Sequence, residues 1–174
     1  MKVRLWTRSV LAAALLAAAP VVILHAEDSA NLKQIPAGDP EMAAAAAKAR
    51  VGLDDFFAKL DSPPPGTQNY SVKIGIIDKG DGIAFTKSEA GAEYFWVGNL
   101  RREGDGFVGT LGNEPQVIRN VRMDQDLTFA KDDVFDWMYI KDNKIVGNIT
   151  SCPLLLRGPK EELEFYRDTY GLEC

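Results

Sequence analysis

Apolar side chains recur at helical spacing through Met42, Ala46, Ala49, Leu53, Phe56, Phe57 and Leu60, one stripe over about twenty residues. Asp39 is placed to cap this helix, Pro40 suits its first position and Glu41 complements the dipole. The run Asp61-Ser62-Pro63-Pro64-Pro65-Gly66 ends it. The alanines supply propensity but little bulk, so the Phe-rich second half carries the packing. Beyond the prolines the period drops to two. Tyr70, Val72, Ile74 and Ile76 alternate with Ser71, Lys73 and Gly75, which predicts a half-buried strand over 69–77.

Residues 78–91, broken by Gly80, Gly82 and Gly91, read as a long irregular connection. Glu93–Val97 and Phe107–Leu111 read as the arms of a hairpin around Gly104-Asp105-Gly106. Val117–Val121 and Leu127–Phe129 read as short strands. Trp137–Ile140 and Ile145–Thr150 form a second hairpin turning at Lys141–Lys144, and Pro159-Lys160-Glu161-Glu162 opens a closing helix. The expectation is a single α+β domain over 39–174. Its sheet is mostly antiparallel, strongly bent or barrel-like, with six to seven short strands between an N-terminal amphipathic helix and a C-terminal helix.

The residues ahead of this domain change the chemistry available to it. Lys2, Arg4 and Arg8 precede the apolar run Val10–Leu24, and Ala26 offers a small residue before Glu27-Asp28. That is the pattern of a cleavable signal peptide over 1–26, cut after Ala26, and it predicts a periplasmic or secreted protein. Pro20 interrupts the run, which falls short of the roughly 20 apolar residues of a stable membrane span; an uncleaved anchor is the alternative. Residues 27–38 read as a disordered leader.

Removing the signal takes three of the 20 bases and no acid, leaving 17 bases against 25 acids, a net charge of −8. That excess disfavours nucleic acid and anionic lipid as partners. Cleavage also removes His25, the only histidine of the chain. Ser-His-Asp and Cys-His nucleophile pairs and imidazole-ligated zinc therefore fall away, and two cysteines are too few for an all-thiolate zinc site. No cofactor is implied.

Those cysteines, Cys152 and Cys174, are an even pair in a chain read as exported, which predicts a disulfide. Closing a loop of about 22 residues contributes roughly 3 kcal/mol in the chain-entropy model. A free core Cys152 with a dangling or intermolecular Cys174 is the alternative.

Several segments carry a resemblance when read together. They are Ala49-Arg50-x-x-Leu53-Asp54-x-Phe56, Phe95-Trp96-Val97, Gly109-x-Leu111-x-Asn113-Glu114-Pro115, and Asp136-Trp137-Met138-Tyr139-Ile140 followed by Gly147 and Thr150. In these the chain resembles the bacterial YegJ-like family, domain of unknown function 2314, over roughly residues 40–170. It departs from that pattern at Gln125-Asp126, where the family often has Gly-Asp, and at Asn148-Ile149, where a second Gly and an aromatic are common. The resemblance implies a mostly antiparallel β-domain with flanking helices. It transfers no catalytic residue.

Five side chains are candidates for a binding site: Asn113, Glu114, Asp136, Trp137 and Tyr139. Asn113-Glu114-Pro115 reads either as a structured turn or as a ligand hook beside Trp137 and Tyr139. By strand alternation Trp137 and Tyr139 share one face and Met138 and Ile140 the other, with Met and Ile the natural core pair. Trp137 and Tyr139 then either pack under a helix or line a groove. Asp124, Asp126, Asp132, Asp133 and Asp136 read as a solvated acidic rim sooner than a cation site, and Asp78–Gly82 lacks the ligand pattern of a calcium loop.

Two functional classes survive. One is a non-catalytic envelope module that binds a protein or another envelope component. The other is a carboxylate-based hydrolase or lyase using Glu114 and Asp136 as an acid/base pair, which requires the carboxyls within roughly 5–10 Å of each other.

Overall fold

The computed structural model describes Pro36, residues 38–87 and residues 91–174; the expected signal over 1–26 and most of the expected leader over 27–38 lie outside the described residues. The predicted N-terminal helix is two helices, α1 (Pro40–Val51) and α2 (Leu53–Asp61), meeting at Gly52. Asp39 caps α1 as expected, its carboxylate accepting from Met42 N at 2.9 Å. The break at Gly52 has a distant cause. The Trp137 indole N–H donates to Ala49 O at 2.7 Å, a carbonyl that would otherwise serve only the helix. A side chain inserted into the helical ladder kinks it. The same indole leaves no room at the junction, since a Cβ on Gly52 would lie 2.5 Å from its Cζ2.

Seven strands follow: β1 (Thr67–Lys79), β2 (Gly82–Thr86), β3 (Glu93–Glu103), β4 (Gly106–Leu111), β5 (Asp126–Phe129), β6 (Val134–Lys141) and β7 (Lys144–Gly147). All pairings are antiparallel, in the order β5-β4-β3-β1-β6-β7. β1 is the axis. β3 lies along one edge, while the other edge is shared by β6, against Thr67–Ile74, and β2, against Gly75–Lys79. The sheet is open and does not close into a barrel.

β2 occupies part of the segment expected to be irregular, and no strand forms over Val117–Val121. Two helices stand at the C-terminus where one was predicted. A short 3-10 turn (Ile149–Ser151) leads into α3 (Cys152–Arg157), and α4 spans Lys160–Tyr170. Cys152 and Cys174 form a disulfide, with their Cα atoms 5.3 Å apart. Arg157 on α3 pairs with both Asp39 and Glu41, tying the C-terminal region to the start of α1. Among the described residues, no helix is long and apolar enough to cross a membrane.

One sheet face and α2 enclose the core. Val72, Ile74, Ile76, Phe95 and Val97 meet Leu53, Phe56 and Phe57 there, all buried. Phe57 stacks on Phe107 at 4.1 Å between ring centres, and Phe56 lies 5.4 Å from Trp137. Trp137 and Tyr139 belong to this core, whereas Met138 and Ile140 on the opposite face are only half-buried. The expected Met/Ile core pair is thus reversed, because the rings supply the greater apolar area under α1 and α2.

Candidate functional site

Along β1 the residues between core positions do not face water. Lys73 is 8 % exposed, and its register partner on β6 is Asp136, which is 0 % exposed. The two side chains meet through Thr150 on the 3-10 turn. The Lys73 ammonium donates to Thr150 Oγ1 at 2.8 Å, and that hydroxyl donates to Asp136 Oδ2 at 2.6 Å. Asp136 Oδ2 also accepts from Thr150 N at 2.7 Å, and Oδ1 accepts from Trp137 N at 2.8 Å. The Trp96 ring covers the ammonium, 4.6 Å from Nζ to ring centre, a cation–π arrangement. Burial pulls the Lys73 pKa down to about 8, with the Asp136 carboxylate drawing it the other way.

The backbone places Thr150 here. Gly147 has φ 90° and Asn148 φ 55°, so the chain leaves β7 in left-handed conformations and turns Thr150 back over β6. A Cβ on Gly147 would lie 2.3 Å from Trp137 O. The Asp136–Thr150 contact and the Trp137 packing therefore rest on one glycine.

Asn113 and Glu114 lie on a loop spanning residues 112–125, between β4 and β5. This loop has no ladder of its own, yet its amides are met one after another by side chains. Asn113 Oδ1 accepts from Trp96 N at 3.0 Å, while Gly112 N donates to Trp96 O at 2.8 Å. The buried Glu93 carboxylate accepts from Gln116 N, Val117 N and Ile118 N at 2.8, 2.9 and 3.0 Å. Asp78 accepts from Arg119 N at 3.2 Å and Asn120 N at 3.3 Å, and Asn120 Nδ2 donates to Gly80 O and Gly82 O. These carboxylates do for 116–120 what a neighbouring strand would have done, which is why the predicted strand is absent. Ile118 and Val121 point into the core, while Val117 and Met123 are 51 % and 44 % exposed.

The five predicted site residues are thus distributed over three places. Trp137 and Tyr139 are in the core beneath the helices, Tyr139 stacked on Tyr70 at 5.1 Å. Asp136 is sealed on the other face under Thr150, and Asn113 is committed to the Trp96 backbone. Glu114 is exposed on the loop. Sequence reasoning passed over Lys73 and Glu93. The available signal was a lysine inside the apolar run of β1 and a glutamate opening the apolar run of β3.

The acidic positions are likewise spread out. Asp126 accepts from Arg101 and Thr110, Asp133 from Ala130 N, and Asp136 is interior. Among the described residues, no group of three or more acids, cysteines or histidines is arranged to hold a metal.

The profile of the family described as "Uncharacterized protein conserved in bacteria (DUF2314)" matches residues 39–174. The chain is 32 % identical over 119 residues to "Uncharacterized protein YegJ" of Escherichia coli (strain K12), covering 68 % of this chain and 70 % of that protein. It is also 25 % identical over 81 residues to "Putative ankyrin repeat protein NMB1133/NMB1171" of Neisseria meningitidis serogroup B, covering 47 % of this chain and 32 % of that protein. No solved structure matches.

Proposed function

The chain belongs to the DUF2314 family of bacterial proteins, and from that premise we propose that it is an exported binding module whose recognition surface is the loop over residues 112–125. The observation that carries the reading is the bracing of this loop. Glu93, Asp78, Asn113 and Asn120 fix its backbone while Val117 and Met123 are held out into solvent beside the exposed Glu114. Ordered loops of this length without secondary structure are commonly functional, and rigidity fixed in advance lowers the ordering cost of binding. The partner is a protein or another envelope component that offers an apolar contact to Val117 and Met123.

Export is supported by the signal-like residues 1–26 and by the disulfide, which suits an oxidising compartment. The second identified relative carries "ankyrin repeat" in its name, and its matched part is 32 % of that chain. This agrees with a domain that works beside an interaction partner. The carboxylate-pair alternative has less support, since both Asp136 oxygens are already engaged in the interior.

Photo-crosslinkers placed at Val117 and at Met123 in producing cells test the reading, with a third at Asp105 in the β3–β4 turn as control. The expected result is a discrete adduct from both loop positions, in the exported fraction, and none from Asp105. Adducts at none of the three in correctly exported, oxidised protein, or equally at all three, would refute it.

A further inference from the structure

Helix α4 rests against α3 and β7, with Leu163 and Tyr166 half-buried. None of its eleven residues is buried. Its C-terminus is closed by Gly171, with φ 63°, whose N–H donates to Arg167 O at 2.9 Å, while Leu172 N donates to Tyr166 O at 3.2 Å. Leu172 is 2 % exposed, and two residues later Cys174 is bridged to Cys152. The helix is thereby presented on a fixed base with most of its surface open.

That surface carries aromatic rings. Phe165 and Tyr170 are 53 % and 38 % exposed. Phe165 packs edge-on against Tyr166 and Tyr170, with centroids 5.9 and 5.7 Å away and interplanar angles of 84° and 85°. The neighbours fix the Phe165 ring while half of it remains in water. Glu161 lies one turn before Phe165, while Asp168, one turn after, is paired with Arg167 at 2.9 Å and Glu164 with Lys160 at 2.9 Å. Over residues 160–174 five acids, Glu161, Glu162, Glu164, Asp168 and Glu173, stand against Lys160 and Arg167, so the segment stays net acidic after those two pairs are formed.

We infer that the α4 face is a docking site for a basic, partly apolar segment of another protein, with Arg or Lys side chains lying over Phe165 and Tyr170 beside Glu161. An exposed aromatic beside an acid attracts a cation twice, through the ring quadrupole and through the carboxylate. The charge argues against the other occupants. A two-fold contact between copies would bring the same acids together, and an anionic membrane would meet them as like charge. This surface is separate from the loop over 112–125, and the inference does not depend on that loop.

The test uses the oxidised protein purified from the producing cell and two fluorescein-labelled synthetic helical peptides. One alternates Arg with Leu; in the other every Arg is replaced by Glu. Fluorescence anisotropy is expected to show binding of the Arg peptide alone, weakening as salt rises. Phe165→Ala and Glu161→Lys are each expected to reduce its affinity at least fivefold, with the circular dichroism spectrum and melting midpoint unchanged. Absence of binding, equal binding of the Glu peptide, or indifference to both substitutions would overturn the inference. So would sedimentation showing a dimer that Phe165→Ala abolishes, since the face would then belong to a second copy.

Discussion

Asp136→Ala is the most informative single perturbation of the interior. The substitution removes three hydrogen bonds, to Trp137 N, Thr150 N and Thr150 Oγ1, at a side chain with no exposed surface. Leaving a buried amide unpaired costs about 1–3 kcal/mol. Removing one partner of a buried charge pair costs about 3–5 kcal/mol, because the remaining charge, here the Lys73 ammonium, has lost its compensation. We therefore expect Asp136→Ala to lower unfolding free energy by about 4 kcal/mol in urea denaturation at neutral pH. The double variant Lys73→Met/Asp136→Leu should recover at least half of that loss, since an apolar pair leaves no orphan charge.

The pH dependence gives a second signature. The folded pKa of Lys73, about 8, lies below the ordinary 10.5. Between those values the unfolded chain binds more protons than the folded one, so stability rises with pH across the window. Below about 8 both states are protonated and the burial cost is constant. The gap corresponds to about 3 kcal/mol. Asp136→Ala removes the group that raises the Lys73 pKa, so the rise should begin at lower pH. Lys73→Met should abolish this component. The Tyr94 pKa is raised by burial, so its contribution is lost as pH climbs through the tyrosine range, and the series belongs below that range. A cost under about 1 kcal/mol for Asp136→Ala, or a double variant no more stable than it, would show that the Lys73–Thr150–Asp136 connection is not the tie described here.

Three further outcomes follow from the same geometry. Gly147→Ala forces a side chain onto a φ of 90° and against Trp137 O, and should cost about 3 kcal/mol, read as a lowered urea midpoint with an unchanged slope. Glu93→Gln replaces one acceptor with a donor facing the amides of residues 116–118; the expected result is about 2 kcal/mol of destabilisation, with hydrogen-exchange protection at those amides lost ahead of the β1 amides. Cys174→Ser opens a loop of sequence separation 22, which the chain-entropy model puts at about 3 kcal/mol; protease cleavage should appear first within 159–174.

The sequence made the long-period features readable and hid those decided by remote contacts. The helical stripe from Met42 to Leu60 was visible, yet the break at Gly52 was not, because it is imposed by an indole 88 positions away. The alternation along β1 located the strand but misjudged Lys73, since a period-two pattern reports which face is apolar and not what covers the other. The Trp96 ring and the turn carrying Thr150 cover it. Val117–Val121 has strand composition, but composition does not reveal that Glu93 and Asp78 take the amides first.

These contacts bear on what the family resemblance means physically. Ala49 accepts from Trp137, Phe56 packs on it, and Gly147 makes room beneath it. Thr150 closes on Asp136, while Asn113 holds the backbone of Trp96, whose ring lies over Lys73. The motif residues are therefore largely one interior framework joining the first helices, the central strands and the C-terminal turn. A sequence that keeps them keeps this fold, whatever it binds. Recognition by such a protein would be set at positions the framework leaves free, such as Glu114, Val117 and Met123 on the braced loop and Phe165 on α4. Two members could then share every buried contact described here and still differ in partner.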